Sequence, residues 1–158
     1  MPANQLDPRV KNVWRLNDAL WTTLVFGCIM IVPGLMAAWH VPNAILILGI
    51  VLGCYVLTLV LCLVVLPPIR YVRWRYEVSE DYLDIAKGII WRKRYIIPFI
   101  RVQNTDTRQG PVLRMFGLAS VTVSTAAREH VIIGLDSETA EQLRDRAAEL
   151  ARLAREDV

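Results

Sequence analysis

The segment ALWTTLVFGCIMIVPGLMAAWHVPNAILILGIVLGCYVLTLVLCLVVLPPI, from Ala19 to Ile69, contains no Asp, Glu, Lys or Arg. The chain has 158 residues, and all 18 basic and all 15 acidic side chains lie outside these 51 residues. This distribution excludes an ordinary soluble globule, a disordered chain and a disulfide-rich secreted scaffold. It predicts that a third of the protein is embedded in a membrane and that the rest faces water.

The short break His40-Val41-Pro42-Asn43 divides the uncharged segment into two apolar stretches. Each is long enough to cross the membrane, because about 20 helical residues span the roughly 30 Å of hydrocarbon. The first stretch is too long for a typical signal peptide, and acidic Asp7 and Asp18 precede it. The sequence therefore predicts a cytoplasmic N-terminal segment (1–18), two transmembrane helices (19–39 and 44–69), an external turn (40–43) and a cytoplasmic domain (70–158).

Basic residues flank the two predicted spans but are absent from the turn between them. They are Arg9, Lys11 and Arg15 before the first span, and Arg70, Arg73 and Arg75 after the second. The positive-inside rule then places both termini in the cytoplasm and the turn outside.

Small residues at a spacing of four mark a possible packing face on each span. Gly49 and Gly53 have this spacing in the second span, and Gly34 and Ala38 have it in the first. Such pairs let helix backbones approach closely. Two interpretations stay open, namely contact between the two spans of one hairpin and contact between subunits.

After the second span, short alternating segments separated by turn residues predict six strands. Spacing of about ten residues favours an antiparallel sheet, sandwich or barrel. A terminal amphipathic helix at about 137–155 should cover the sheet with its apolar face. The fold class is therefore α+β, with predicted strands at 72–78, 82–87, 90–97, 102–109, 119–124 and 130–133 and a helical turn at 112–116.

The order of motifs is that of a known family. It runs Arg73-Trp74-Arg75-Tyr76-Glu77-Val78, Gly88, Arg92-Lys93-Arg94, Ile97-Pro98, Arg101-Val102-Gln103, Gln109-Gly110-Pro111, Leu113-Arg114 and Phe116-Gly117-Leu118. After two membrane spans, this order resembles the YdbS/YdbT-like family of bacterial membrane proteins, which carry a pleckstrin-homology-like (PH-like) domain.

The resemblance implies a seven-strand, partly open barrel closed by a C-terminal helix, in a protein of the bacterial inner membrane. It implies no catalytic activity, and longer relatives often accompany such proteins. The matching motif residues are expected to be structural: Tyr76, Gly88, Pro98, Gln103, Gly110, Pro111, Arg114 and Gly117.

The sequence contains few residues in patterns typical of catalysis. All three cysteines lie in the predicted spans, and the chain has no HExxH, GxSxG, GxGxxG or P-loop motif. The spans contain no ionisable carboxylate or basic residue of the kind that proton relays and ion pathways use. The sequence therefore predicts a protein that is not an enzyme and has no cofactor or metal site.

Positive charge beside the membrane is the strongest chemical feature. Six basic residues are candidates for contact with lipid or a partner: Arg70, Arg73, Arg75, Arg92, Lys93 and Arg94. Trp91 and Tyr95 flank the second cluster, and alternation would place both on one face with Lys93. Two interpretations stay open, because the same residues could serve only as topological signals and as a charged strand edge. A net charge of only +3 does not favour a nucleic-acid interface.

The leading hypothesis is a PH-like domain tethered to the inner membrane as a binding or assembly platform. Its expected partners are the bilayer, anionic lipid headgroups, and a second copy of the chain or a longer related membrane protein. The alternative is an accessory subunit of a transport or envelope-stress and antimicrobial-resistance complex.

Overall fold

The computed structural model describes residues 2–89 and 91–156, without the side chain of Arg155. Within these residues the elements are β1 (Asn4–Gln5), α1 (Val10–Ala38), α2 (Ala44–Val60), a π-helical turn (Leu61–Val65), α3 (Leu66–Arg73), β2 (Arg75–Val78), β3 (Tyr82–Lys87), β4 (Lys93–Pro98), a 3-10 turn (Phe99–Arg101), β5 (Val102–Arg108), α4 (Pro111–Met115), β6 (Leu118–Thr125), β7 (Glu129–Asp136) and α5 (Ser137–Glu156). The chain divides into a helical hairpin, Trp14–Pro68, and a second unit formed by the residues up to Val13 and from Ile69 onward.

Two helices of the described chain are long and apolar enough to cross a membrane, Val10–Ala38 and Ala44–Arg73. The first begins ahead of the predicted span 19–39. Most of their large apolar side chains are exposed, including Ile45 at 81%. Surfaces of this kind are stable in hydrocarbon and unstable in water.

Polar and aromatic side chains join the two helices within the hairpin. The hydroxyls of Thr23 and Tyr55 lie 3.0 Å apart, and the ring centroids of Phe26 and Tyr55 are 5.4 Å apart. The predicted glycines Gly34, Gly49 and Gly53 do not contribute to this contact. A Cβ added at Gly34, Gly49 or Gly53 would meet no atom of the neighbouring helix within 4 Å.

A proline explains how Arg15 is accommodated in the hairpin. Pro67 has no amide hydrogen, so it cannot donate to the carbonyl of Leu63, four residues earlier in the helix. The guanidinium Nε of Arg15 donates to that carbonyl instead, at 3.0 Å. The hydrogen bond therefore satisfies a backbone group that the proline leaves without its helical donor.

The second unit contains two antiparallel sheets and the C-terminal helix. One sheet has the strand order β1-β2-β3-β4 and the other has the order β5-β6-β7. The helix α5 packs on β5, β6 and the 3-10 turn, and its apolar face buries Leu143, Ala147 and Leu150. The fully buried Phe99 lies in that 3-10 turn. These features confirm the α+β fold with antiparallel PH-like sheets.

The seventh strand among the described residues comes before the first membrane helix, where the sequence predicted none. In β1, Asn4 pairs with Tyr76 and Gln5 with Arg75 of β2. Leu6 and Val10, which follow β1, are buried at 2% and 0% exposure. The N-terminal segment is thus part of the sheet and of its core.

Close packing holds this N-terminal segment against β7. Gly134 has a φ of +83°, and a Cβ at this position would overlap the side chain of Val10. The amide of Asp7 donates to the carbonyl of Gly134 at 3.0 Å. Arg9 forms ion pairs with Asp7 and Asp136, at 2.9 and 2.6 Å. The hydrogen bond from Arg9 lowers the pKa of the Asp7 carboxyl.

Two predicted strands begin earlier in the sequence than the observed strands do. The prediction of a strand from Val72 is wrong at its start, because the helix continues to Arg73 and β2 begins at Arg75. The alternating residues at this point are compatible with a helix or a strand. The helix formed by the preceding residues continues through Val72 and Arg73. For the predicted strand 90–97, β4 begins at Lys93, and Ile90 lies outside the described residues.

Candidate functional site

A pocket of about 400 Å³ lies between the end of α3 and the β3–β4 hairpin. We call it the aromatic–basic pocket, and its lining residues are Arg70, Trp74, Lys87, Gly88, Ile89, Trp91, Lys93 and Tyr95. Antiparallel pairing of Lys87 with Lys93 across the hairpin brings both lysines to its rim. The pocket therefore combines three cations with three aromatic rings.

Lys87 occupies the centre of this arrangement. Its ammonium lies 5.9 Å from the ring centroid of Trp74 and 5.4 Å from that of Tyr95. An ammonium at this distance is attracted to the negative face of an aromatic ring. The two rings thereby hold the Lys87 charge at the pocket.

The electrostatics of the pocket favour an anionic group. None of the described residues that line the pocket carries a carboxylate, whereas Lys87 and Lys93 each contribute an ammonium group. At its rim, the Trp91 side chain is 81% exposed. Tryptophan with a large exposed face beside basic residues is typical of the membrane–water interface.

The structure brings some of the six predicted contact residues together and separates others. Arg70 and Lys93 line the pocket. Arg92, the residue before Lys93, is exposed and does not line it. Arg73 is exposed near the end of α3, and Arg75 lies in β2 opposite Gln5. Alternation along the predicted strand 90–97 placed Trp91, Lys93 and Tyr95 on one face, and all three line the pocket.

Arg94 is held in an ion pair inside its own sheet. Its Nη2 lies 2.6 Å from Oδ2 of Asp84, and its Nε donates to both carboxylate oxygens at 3.0 and 2.9 Å. Asp84 is only 1% exposed, so removing Arg94 would leave a buried carboxyl group without its ion-pair partner. The ion pair raises the pKa of the Arg94 guanidinium. Arg94 therefore satisfies Asp84 and is less available for an external anion than Lys93.

Sequence reasoning missed Lys87 as a candidate. It is a single lysine at the end of a strand, and no basic cluster surrounds it in the sequence. The signal that could have found it is hairpin register, because a turn at Gly88 places Lys87 opposite Lys93.

The family-motif residues mostly occupy turns and packed positions. Gly88 and Gly117 have φ values of +125° and +66°, which favour glycine, and a Cβ at Gly88 would overlap the carbonyl oxygen of Trp91. Pro111 begins α4 directly after Gly110. Tyr76 is 7% exposed, and burial raises the pKa of its hydroxyl.

The remaining motif residues do not contact the aromatic–basic pocket. Arg114 lies in the last turn of α4. Pro98 and Gln103 line a second cavity of about 850 Å³, which borders the ends of β4 and of the β6–β7 hairpin. We call this cavity the sheet-edge groove.

Metal-ligating side chains do not cluster in the part of the chain that the structure describes. No group of three or more His, Cys, Asp or Glu residues there could hold a metal ion. The three cysteines, Cys28, Cys54 and Cys62, all lie in the helical hairpin.

Comparison with known proteins agrees with this architecture. The family model described as "Bacterial PH domain" matches residues 23–151. The UPF0699 transmembrane protein YdbS of Bacillus subtilis (strain 168) is 38% identical over 157 residues, covering 99% of this chain and 98% of that protein. No solved structure matches the chain. The match in sequence, the two membrane helices and the PH-like sheets together show that the chain belongs to the bacterial PH domain family, as a YdbS-like transmembrane protein.

Proposed function

We propose that this membrane protein is a binding platform of the bacterial inner membrane rather than an enzyme, and that its PH domain engages anionic lipid headgroups at the cytoplasmic face. The observation that carries the proposal is the aromatic–basic pocket. Three cations, three aromatic rings and an exposed Trp91 meet there, with no carboxylate among the described lining residues.

The position of the pocket in the chain supports a ligand at the membrane surface. Arg70 comes directly after the uncharged segment that ends at Ile69, and it lines the pocket. The negative surface potential of a cytoplasmic leaflet attracts a nearby Lys or Arg by about 1 kcal/mol each, within a Debye length of about 8 Å. Lys87 and Lys93 together would then contribute about 2 kcal/mol, or roughly a thirtyfold preference for anionic lipid.

The pairing of β1 with β2 supports the predicted topology. Asn4 precedes both membrane helices and its partner Tyr76 follows them, so hydrogen bonding between the strands requires both to be on one side of the bilayer. A chain that crosses the bilayer twice between the two strands returns to the side from which it started, so it meets this requirement. The basic residues next to both spans favour the cytoplasmic side.

The test uses detergent-purified full-length protein and two short-chain lipids, phosphatidylglycerol and phosphatidylcholine. Native mass spectrometry counts the lipid molecules that remain bound. We expect wild type to prefer phosphatidylglycerol, and the double variant Lys87→Gln/Lys93→Gln to lose most of that preference. The matched control is Arg108→Gln/Arg152→Gln, which removes two exposed charges elsewhere in the PH domain.

A second readout follows Trp91 directly. Its fluorescence, obtained as wild type minus Trp91→Phe, should shift to shorter wavelength in bilayers that contain phosphatidylglycerol, because the exposed indole then enters a less polar environment. The proposal is wrong if wild type binds both lipids equally, or if the control variant loses as much preference as the lysine variant.

A further inference from the structure

The sheet-edge groove is an apolar surface that the described chain leaves uncovered. Ile96 at the end of β4 is 57% exposed, and Ile100 in the following 3-10 turn is 48% exposed. Both line the groove, together with Pro98. Large apolar side chains that are grouped and exposed are typical of a binding surface.

Two guanidinium groups flank this apolar surface. Arg101 belongs to the 3-10 turn, and Arg128 lies just before β7 in the β6–β7 hairpin. Both residues are exposed, and neither forms an ion pair with any described residue. The described lining contains no carboxylate. The charge of the groove is therefore complementary to an acidic ligand.

The groove also borders an open strand edge. β4 is the last strand of its sheet, and within the described chain it pairs only with β3. An edge strand can pair with an added extended segment through main-chain hydrogen bonds, while side-chain pockets select the residues. A lipid headgroup has no main chain to offer, so these features together favour a polypeptide.

We propose that the sheet-edge groove binds an extended, acidic segment of another protein, which adds to the edge of β4. Apolar side chains of the segment pack on Ile96 and Ile100, and its carboxylates pair with Arg101 and Arg128. Successive side chains of a strand point to opposite faces. A segment of alternating apolar and acidic residues could therefore pack on the isoleucines and pair with the arginines at the same time. This partner site is separate from the aromatic–basic pocket and does not depend on lipid binding there.

The experiment measures fluorescence anisotropy of a fluorescein-labelled peptide of alternating Val and Glu with full-length protein in neutral detergent. A peptide of alternating Val and Lys is the charge control. A Val–Glu peptide methylated at alternate main-chain nitrogens tests pairing with β4. We expect only the unmodified acidic peptide to bind, with affinity that falls as salt rises.

The variants separate the roles of charge and apolar surface. Arg101→Glu/Arg128→Glu should weaken binding of the acidic peptide by about tenfold or more, and should create binding of the Val–Lys peptide. Ile100→Asp should also weaken acidic binding. Arg108→Glu is the matched control, because it reverses an exposed charge outside the groove.

Each result bears on the proposal in one direction. Unchanged acidic binding in Arg101→Glu/Arg128→Glu would overturn it, as would equal binding of both peptides to wild type. Retained binding of the methylated peptide would overturn addition to β4. If these arginine changes instead abolish the phosphatidylglycerol preference, the groove is a membrane contact and the proposal fails. Far-ultraviolet circular dichroism checks that each variant is folded. If Arg101→Glu/Arg128→Glu is not folded, Arg101→Gln/Arg128→Gln takes its place in the experiment.

Discussion

The rings of Tyr95 and His130 pack edge to face, with centroids 5.0 Å apart and planes at 63°. Tyr95 belongs to β4 and His130 to β7, so the contact joins the last strands of the two sheets. Tyr95 also lines the aromatic–basic pocket, and His130 lines the sheet-edge groove. Each of the two contacting rings therefore lines one of the two cavities.

The burial of His130 predicts a pH dependence of stability. Burial lowers the pKa of His130 below its usual 6.5, and the charges of Arg128 and Lys87 lower it further. The unfolded chain then binds a proton more readily than the folded one, so stability falls as pH decreases through 6.5 toward the folded pKa. Thermal unfolding of full-length protein between pH 7.5 and 5 should show this loss. It should be smaller in His130→Phe, and an equal loss in both proteins would contradict the assignment.

The Asp84–Arg94 ion pair predicts an unequal response to single and double substitution. Arg94→Leu leaves the carboxylate of Asp84 buried without its partner, which is more costly than removing both charges. The single variant should therefore unfold at a lower temperature than Asp84→Leu/Arg94→Leu. Arg92→Leu, which removes an exposed neighbouring charge, serves as the control. If the double variant is the less stable of the two, Asp84 does not depend on Arg94.

The contact between Gly134 and Val10 predicts that the N-terminal segment stabilises the PH domain. Gly134→Ala should lower the free energy of unfolding by about 2 kcal/mol, because a side chain is strained at this positive φ and would overlap Val10. Urea unfolding in detergent measures the change. The effect of Gly134→Ala should be smaller when Val10 is already alanine, since the overlap is then reduced. Additive effects would show that the two residues are not in contact.

The open glycine face of the second membrane helix predicts separate effects on folding and on association. Gly49→Leu/Gly53→Leu should leave the hairpin intact, because a Cβ at either position meets no neighbouring atom within 4 Å. It should reduce self-association in liposomes, measured by energy transfer between labelled molecules, if subunits meet through this face. Gly27→Leu is the control, since its face is also open but has no second glycine at the same spacing. Undiminished energy transfer in the double variant would exclude this face as the subunit contact.

Sequence patterns predicted the elements whose residues carry a strong periodic signal. The uncharged segment from Ala19 to Ile69 gave the membrane helices, and Gly88 and Gly117 marked turns that need positive φ. The strand β1 has only two residues, Asn4 and Gln5, and neither is a typical strand former. Its pairing depends on β2, far away in the sequence, so no local pattern could reveal it.

The candidate site was predictable only in part, for a related reason. The cluster Arg92-Lys93-Arg94 stands out in the sequence, but only its middle residue lines the pocket. Arg94 forms an ion pair with Asp84 of the neighbouring strand. The register of the two strands brings these residues together, and the local sequence around Arg94 does not indicate it. Lys87 enters the site through the same register.

The hydrogen bonding of β1 to β2 also sets an order of events during biosynthesis. Asn4 and Gln5 leave the ribosome first, but β2 is made only after both membrane helices. The first sheet therefore stays incomplete until translation has passed the hairpin. In the topology proposed above, both helices must also cross the bilayer before the two strands can pair. A molecule inserted with a single crossing would have the two strands on opposite sides and could never close that sheet. Its core residues, Leu6 and Val10 among them, would stay exposed, and exposed apolar surface is what cellular chaperones and proteases recognise. Pairing of β1 with β2 can thus take place only in molecules whose two strands lie on the same side of the bilayer.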